Sequence, residues 1–154
     1  MPTVKRFEEL KIWQEARRQC EQVHALVQST GLKNDFSLKD QISRSSGSVM
    51  DNIAEGFDRF TRNDFRHFLI ISRGSNAEVR SQMYRILDKS YCSKDEIEGL
   101  IRSCATLSIK ITHLINHLNK SVYESKPTNA KYVSEADSIE WENEDLVICR
   151  DMKK

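Results

Sequence analysis

Glycine and proline are scarce, five and two respectively in 154 residues, so the chain has few of the residues that interrupt helices or make the tight turns of a β-rich fold. The four cysteines, Cys20, Cys92, Cys104 and Cys149, show no CxxC spacing. That excludes the usual zinc-knuckle and dithiol motifs and reads as free thiols in a reducing compartment. The first ten residues, MPTVKRFEEL, carry no apolar run of signal-peptide length, and no segment approaches the ~20 apolar residues of a membrane span. The expectation is a soluble, cytoplasmic protein. There is also no phosphate-cradling glycine loop, no serine or cysteine in a nucleophile motif, and no pair of carboxylates at the spacing of a hydrolase. These absences point to a non-enzymatic protein without metal or cofactor.

What remains is rich in leucine, isoleucine, alanine, glutamate, lysine and arginine, a composition that favours helix over strand. Residues 1–120 carry 19 Lys and Arg against 15 Asp and Glu, whereas residues 121–154 carry 5 against 8, so a mildly basic body precedes an acidic tail. In the first segment Trp13, Ala16, Cys20, Val23 and Val27 step down one face, which predicts a helix from Phe7 to Ser29 with Trp13 as a core anchor, closed by Thr30-Gly31 through a left-handed glycine. After a loop over 31–36, Ser37 and Asp40 form a capping pair for a second helix, whose seam is Leu38, Ile42, Ser45, Val49, Ile53 and Gly56. The small run Ser45-Ser46-Gly47-Ser48 suits close approach of helix backbones. Thr61 and Asp64 cap a third helix with Phe65, Phe68, Ser72, Val79, Met83 and Ile86 inside. Its internal Gly74-Ser75 pair calls for tight packing at that point, because a mid-helix glycine costs ~1 kcal/mol relative to alanine. Ser93 and Glu96 cap a fourth helix that runs to about Lys120. The fold class is therefore all-α: an antiparallel up-down-up-down four-helix bundle over 1–120, followed by an acidic tail over 121–154.

The clearest functional signal lies on the third helix. If that helix is continuous from the preceding turn, Arg59, Arg62, Arg66, Arg73 and Arg80 fall within a sector of ~60°, by the ~100° step of an α-helix. Guanidinium groups bind phosphate oxygens in a planar, two-pronged way, and a row of them can follow a nucleic-acid backbone without reading bases. The same row suits an interface in which the arginines meet Glu55, Asp64 or Glu78 of one subunit or its neighbour. Gln41, Arg44, Ser48, Asn52 and Glu55 form a polar flank beside the second helix's seam. Together with Glu78, four of these, Gln41, Arg44, Asn52 and Glu55, are candidates for structural or intersubunit polar contacts. Asn52 and Glu55 lack the companions of an acid–base site. His113 and His117 are four apart but lack the glutamate of a zinc-protease motif, and read as exposed polar positions. The tail segment from Glu135 to Asp145, acidic around Trp141, reads as a docking segment able to screen the basic surface, or as plain disorder.

Three stretches, Phe7 to Ala16, Asn52-Ile53-Ala54-Glu55-Gly56, and Phe65-Arg66-His67-Phe68-Leu69 through Gly74-Ser75 with Glu78 and Gln82, occur in an order and spacing that resemble the bacterial four-helix bundle family encoded in intervening sequences of 23S rRNA genes. That family is related to the Avd accessory proteins of diversity-generating retroelements. The resemblance covers roughly residues 5–118 and implies a homopentamer of four-helix bundles with a basic surface. For the Avd branch it further implies binding to nucleic acid and to a reverse transcriptase. The chain departs from the family pattern at Met50-Asp51 and at Ser45-Ser46-Gly47. The resulting expectation is an RNA- or DNA-binding accessory protein, with a protein–protein scaffold as the alternative.

Overall fold

The computed structural model describes residues 4–59 and 61–124, and of 121–124 the backbone course only. The expectations for the tail beyond 124, and for Cys149, lie outside the described residues. Four helices, α1 (Lys11–Ser29), α2 (Phe36–Asp58), α3 (Arg62–Asp88) and α4 (Lys94–Glu124), pack antiparallel, each on the next and α1 back on α4. No described helix is long and apolar enough to cross a membrane.

The seams read from the sequence meet in one core. Ala16, Ile42, Val49, Ile53, Phe65, Leu69, Val79, Met83, Ile86, Ile97 and Ile111 are fully buried in it. The small residues of α2 do bring it close to α3. Ser72 Oγ donates to the backbone carbonyl of Val49 across the interface at 2.8 Å, Ser45 Oγ to Gln82 Oε1 at 2.6 Å, and the Ser48 and Ser75 hydroxyls sit 2.8 Å apart. A serine reaches a neighbouring helix's backbone only where nothing larger stands between.

Several boundaries differ from the sequence expectation. Residues Phe7–Glu9 form a 3-10 turn, and Leu10, extended and fully buried, separates it from α1, which therefore starts at Lys11 rather than Phe7. The kink lets Phe7 meet Trp13 edge-on at 5.1 Å. Trp13 is buried, as a core anchor should be. Gly31 has no positive φ: α1 closes on Thr30, whose Oγ1 donates to Leu26 O at 2.7 Å and accepts from Leu32 N at 3.2 Å, and a 3-10 turn over Gly31–Asn34 follows. Glycine suits position 31 for another reason, since a Cβ there would stand 3.1 Å from the Tyr91 ring.

The cap of α2 is Asp35 and not Ser37. Its carboxylate accepts from Leu38 N at 3.2 Å, and also from Lys89 Nζ at 2.5 Å and Tyr91 Oη at 3.0 Å, tying the start of α2 to the end of α3. These donors, Lys89 foremost, hold the Asp35 carboxyl down at about 2. The Thr61 and Ser93 caps stand as read: Asp64 N donates to Thr61 Oγ1 at 3.0 Å and Glu96 N to Ser93 Oγ at 3.3 Å. The tight position in the middle of α3 is Ser75 alone, because a Cβ on Gly74 would meet nothing within 4 Å. The close glycine is Gly56, where a Cβ would lie 2.6 Å from Phe68 Cβ at the α2–α3 corner.

Candidate nucleic-acid interface

The rotation of α3 is fixed from its N-terminus. Thr61, in extended conformation, caps the helix, and Phe65, fully buried and edge-on to Phe57 at 5.8 Å, pins its first turn. With Leu69, Asn76, Val79, Met83 and Ile86 turned inward, Arg62, Arg66, Arg73 and Arg80 fall within about 40° of one another on the flank nearest α4, by the ~100° step. They span 18 residues, or about 27 Å at ~1.5 Å per residue. Arg73 and Arg80 are exposed and Arg62 and Arg66 half-buried. None of the four forms an ion pair or side-chain hydrogen bond with any described residue.

Arg59 does not belong to this row. The chain breaks its helical course between α2 and α3, and Arg59 is the residue that follows α2, with Nη2 bonded to Glu55 Oε1 at 2.6 Å and Cζ 5.2 Å from the Phe68 ring centre. The five-arginine sector required a helix continuous through the turn; the extended Thr61 leaves four.

The polar residues singled out on α2 and α3 divide. Gln41, Arg44 and Glu78 come together with Arg85 along a groove of about 530 Å³ between the two helices, on the edge of α3 away from the arginine row. There Arg85 Nη1 donates to Gln41 Oε1 at 2.9 Å, while Arg44 pairs with Asp40 at 2.6 Å. Asn52 stays local, donating to Ser48 O at 2.7 Å, and Glu55 is engaged by Arg59. Asn52 and Glu55 are therefore not brought together as an acid and its orienting amide. His113 is exposed, but His117 is half-buried, contrary to the expectation for both. Among the described residues no three His, Cys, Asp or Glu side chains converge as metal ligands would.

Sequence reasoning missed a buried polar network beneath the arginine row. Gln19 Nε2 donates to Asn76 Oδ1 at 2.7 Å, and Asn76 Nδ2 donates to Cys104 O at 2.7 Å and Ser108 Oγ at 2.8 Å. It joins α1, α3 and α4 in the core. The available signal was an asparagine in register with Leu69 and Met83 on an apolar face. Burial pushes the Cys104 thiol up to about 11, opposed by the hydrogen bond from Gln19 and then by the Arg80 charge. Burial also raises the thiols of Cys20 and Cys92, so the described cysteines are free and poor nucleophiles.

The comparisons with known proteins agree with this fold. A crystal structure of a protein of unknown function from the S23 ribosomal protein family of Bacteroides thetaiotaomicron VPI-5482 superposes with a TM-score of 0.62 over 68% of this chain and 97% of that one; at 18% identity it shows shared architecture alone. No curated protein matches the sequence. The family model for the 23S rRNA-intervening sequence protein matches residues 8–113, which contain α1 to α3, the arginine row and most of α4. The chain belongs to the 23S rRNA-intervening sequence protein family.

Proposed function

We propose that the protein is a non-enzymatic, homo-oligomeric accessory factor that binds the backbone of RNA or DNA through Arg62, Arg66, Arg73 and Arg80 on α3. The observation that carries this reading is that four guanidiniums in one row have no carboxylate partner among the described residues. The family's name ties it to 23S rRNA intervening sequences, an RNA setting. A pentameric ring, as the family resemblance implies, would repeat the row and convert weak single-row contacts into avidity. A reverse transcriptase is the partner the same resemblance suggests.

The test is charge reversal. Arg66→Glu combined with Arg73→Glu should abolish salt-sensitive binding to a labelled RNA in a gel shift, with oligomeric mass unchanged by light scattering. Unchanged affinity in an intact oligomer refutes the reading.

A second reading has its own observation. Ile70 and Tyr84 are 48% and 50% exposed and lie beside the arginines, with Ala77 between them at the same spacing of seven. An apolar strip edged with arginine also suits a subunit or partner contact without nucleic acid. In that case no RNA shift occurs at physiological salt, and the oligomer dissociates when salt is raised.

A further inference from the structure

The chain leaves the bundle beside the arginine row. Asn76 Nδ2 on α3 donates to Ser108 Oγ on α4 at 2.8 Å, which fixes the register of these two antiparallel helices. Counted from that bond, Glu124 at the end of α4 is 16 residues on, about 24 Å, and Arg62 at the start of α3 is 14 residues back, about 21 Å, at ~1.5 Å per residue. The two lie at the same end of the bundle and nearly level, on neighbouring helices about 10 Å apart. Residues 125–134, which follow, reach ~33 Å at full extension, several times that gap.

The segment beyond them alternates. Glu140, Glu142 and Glu144 occupy even positions, with Ile139 and Trp141 on odd ones. In an extended chain successive side chains point to opposite sides, so the glutamates would form one edge and the apolar pair the other. The α3 face is divided in the same way, into the row Arg62, Arg66, Arg73 and Arg80 and the strip Ile70, Ala77 and Tyr84 beside it. None of the four arginines has a carboxylate among the described residues. Ile70 and Tyr84 stand about 21 Å apart along the axis, and the small, exposed Ala77 between them leaves a notch with room for an indole.

We propose that residues 135–142 dock on α3 of their own chain, with Trp141 seated on Ala77 and the glutamates on the arginine row, and that a nucleic-acid strand must displace them to reach it. The lengths agree. With the segment running from the Arg62 end towards the Arg80 end, ~3.3 Å per extended residue against ~1.5 Å per helical one puts Glu140 and Glu142 within about 3 Å, along the axis, of Arg73 and Arg80. Glu135 and Asp137 come equally close to Arg62 and Arg66, so one register meets all four guanidiniums. The displacement rests on the nucleic-acid reading above; the docking does not.

The experiment uses the full chain, first by two-dimensional NMR of the isotope-labelled protein without RNA. Trp141→Ala, which keeps the charge, and Glu140→Gln/Glu142→Gln should each shift the backbone amides of Arg73, Ala77 and Arg80. Ala77→Phe, which fills the notch, should shift the Trp141 indole N–H. RNA affinity is then measured by fluorescence anisotropy at one fixed salt. With a millimolar effective concentration for a short linker and a millimolar intrinsic affinity, the docked segment lowers RNA affinity a few-fold, so both tail variants should raise it about three- to fivefold. A gain in the glutamine variant while Trp141→Ala matches the wild type is the general effect of removing negative charge, and it overturns the docking. Amides of α3 that stay in place in Trp141→Ala overturn it too. Labelled wild type refolded with a large excess of unlabelled Trp141→Ala chain should keep its α3 shifts; their movement would assign the segment to a neighbouring copy and overturn docking within one chain. The two readings fail separately. If α3 responds to Trp141→Ala but no RNA binds, the docking stands without the nucleic-acid reading; if Arg66→Glu/Arg73→Glu abolishes RNA binding while Trp141→Ala changes nothing, the reverse holds.

Discussion

Counterion release gives the α3 row a numerical signature. If Arg62, Arg66, Arg73 and Arg80 each neutralise one phosphate of a single strand, log K against log salt should have a slope of about −2.8, at about −0.7 per phosphate. Raising salt from about 50 to about 200 mM then weakens binding about 50-fold. Neutralising two of the four, as in Arg66→Gln/Arg73→Gln, should halve the slope to about −1.4 and so reduce the salt effect to about 7-fold. Glutamine is preferred here because a charge reversal adds repulsion and spoils the arithmetic. The assay is fluorescence anisotropy with a labelled RNA across a potassium chloride series, at a fixed oligomeric state. Arg85→Gln supplies a per-charge control: it removes one charge from the same helix where the double variant removes two, but Arg85 lies on the α2 edge, bonded to Gln41. Its slope should match the wild type. Equal slopes for the double variant and the wild type would refute the row, and a drop in Arg85→Gln half as large as in the double variant would show that net charge and not the row determines binding.

Three further perturbations probe the scaffold. Asn76 is 0% exposed and bonded to Gln19, Cys104 O and Ser108, so Asn76→Ala should cost about 3–5 kcal/mol by urea unfolding, from lost hydrogen bonds plus the stranded Gln19 amide. Gln19→Leu/Asn76→Leu should be more stable than Asn76→Leu alone, and the opposite order would contradict the stranded-amide argument. Asp35, held at about 2 when folded against an ordinary value of 3.8, contributes stability that is complete above its unfolded pKa and lost as pH falls through the folded one. Thermal melts between about pH 5 and 2 should therefore decline less steeply in Asp35→Asn than in the wild type. Two of the α-helical glycines, Gly56 and Gly74, should behave oppositely: Gly56→Ala loses about 1–3 kcal/mol through overpacking against Phe68, while Gly74→Ala gains about 1 kcal/mol in helix propensity.

Much of this architecture is legible in the chain because the apolar residues repeat at helical spacing. Thr61 with Asp64 and Ser93 with Glu96 are recognisable because a local cap needs only residues three apart. Asp35 is not, because what sets it above Ser37 is its reach to Lys89 and Tyr91, more than fifty residues on. Gly74 and Gly56 show the same limit: a glycine's neighbours depend on which way the helix faces, and the sequence marks only that a side chain is missing. Arg59 drops out of the row because a one-dimensional wheel assumes the helix continues, and Thr61 stops it.

Several arginines and lysines elsewhere on the helices have a carboxylate one turn away, which the α3 row does not. Arg17 pairs with Glu21 on α1, Arg44 with Asp40 and Arg59 with Glu55 along α2, and Lys94 with Glu98 on α4, each at a spacing of four. Such pairs contribute about 0.3–0.5 kcal/mol each, and like charges at that spacing cost a similar amount. On α3, Arg62 and Arg66 are set four apart with the same sign, and Arg66, Arg73 and Arg80 have Ile70, Ala77 and Tyr84 where a carboxylate would sit. A helix that only needed to be soluble would gain from acidic residues at 70, 77 and 84, and the exposed isoleucine and tyrosine gain nothing from water. Like charges at 62 and 66 and apolar residues at 70, 77 and 84 cost the isolated bundle a little stability, which an external anion over the guanidiniums and an apolar surface over the strip would offset under the proposed reading. A nucleic-acid strand offers both in one ligand, phosphates for the arginines and base faces for Tyr84 and Ile70.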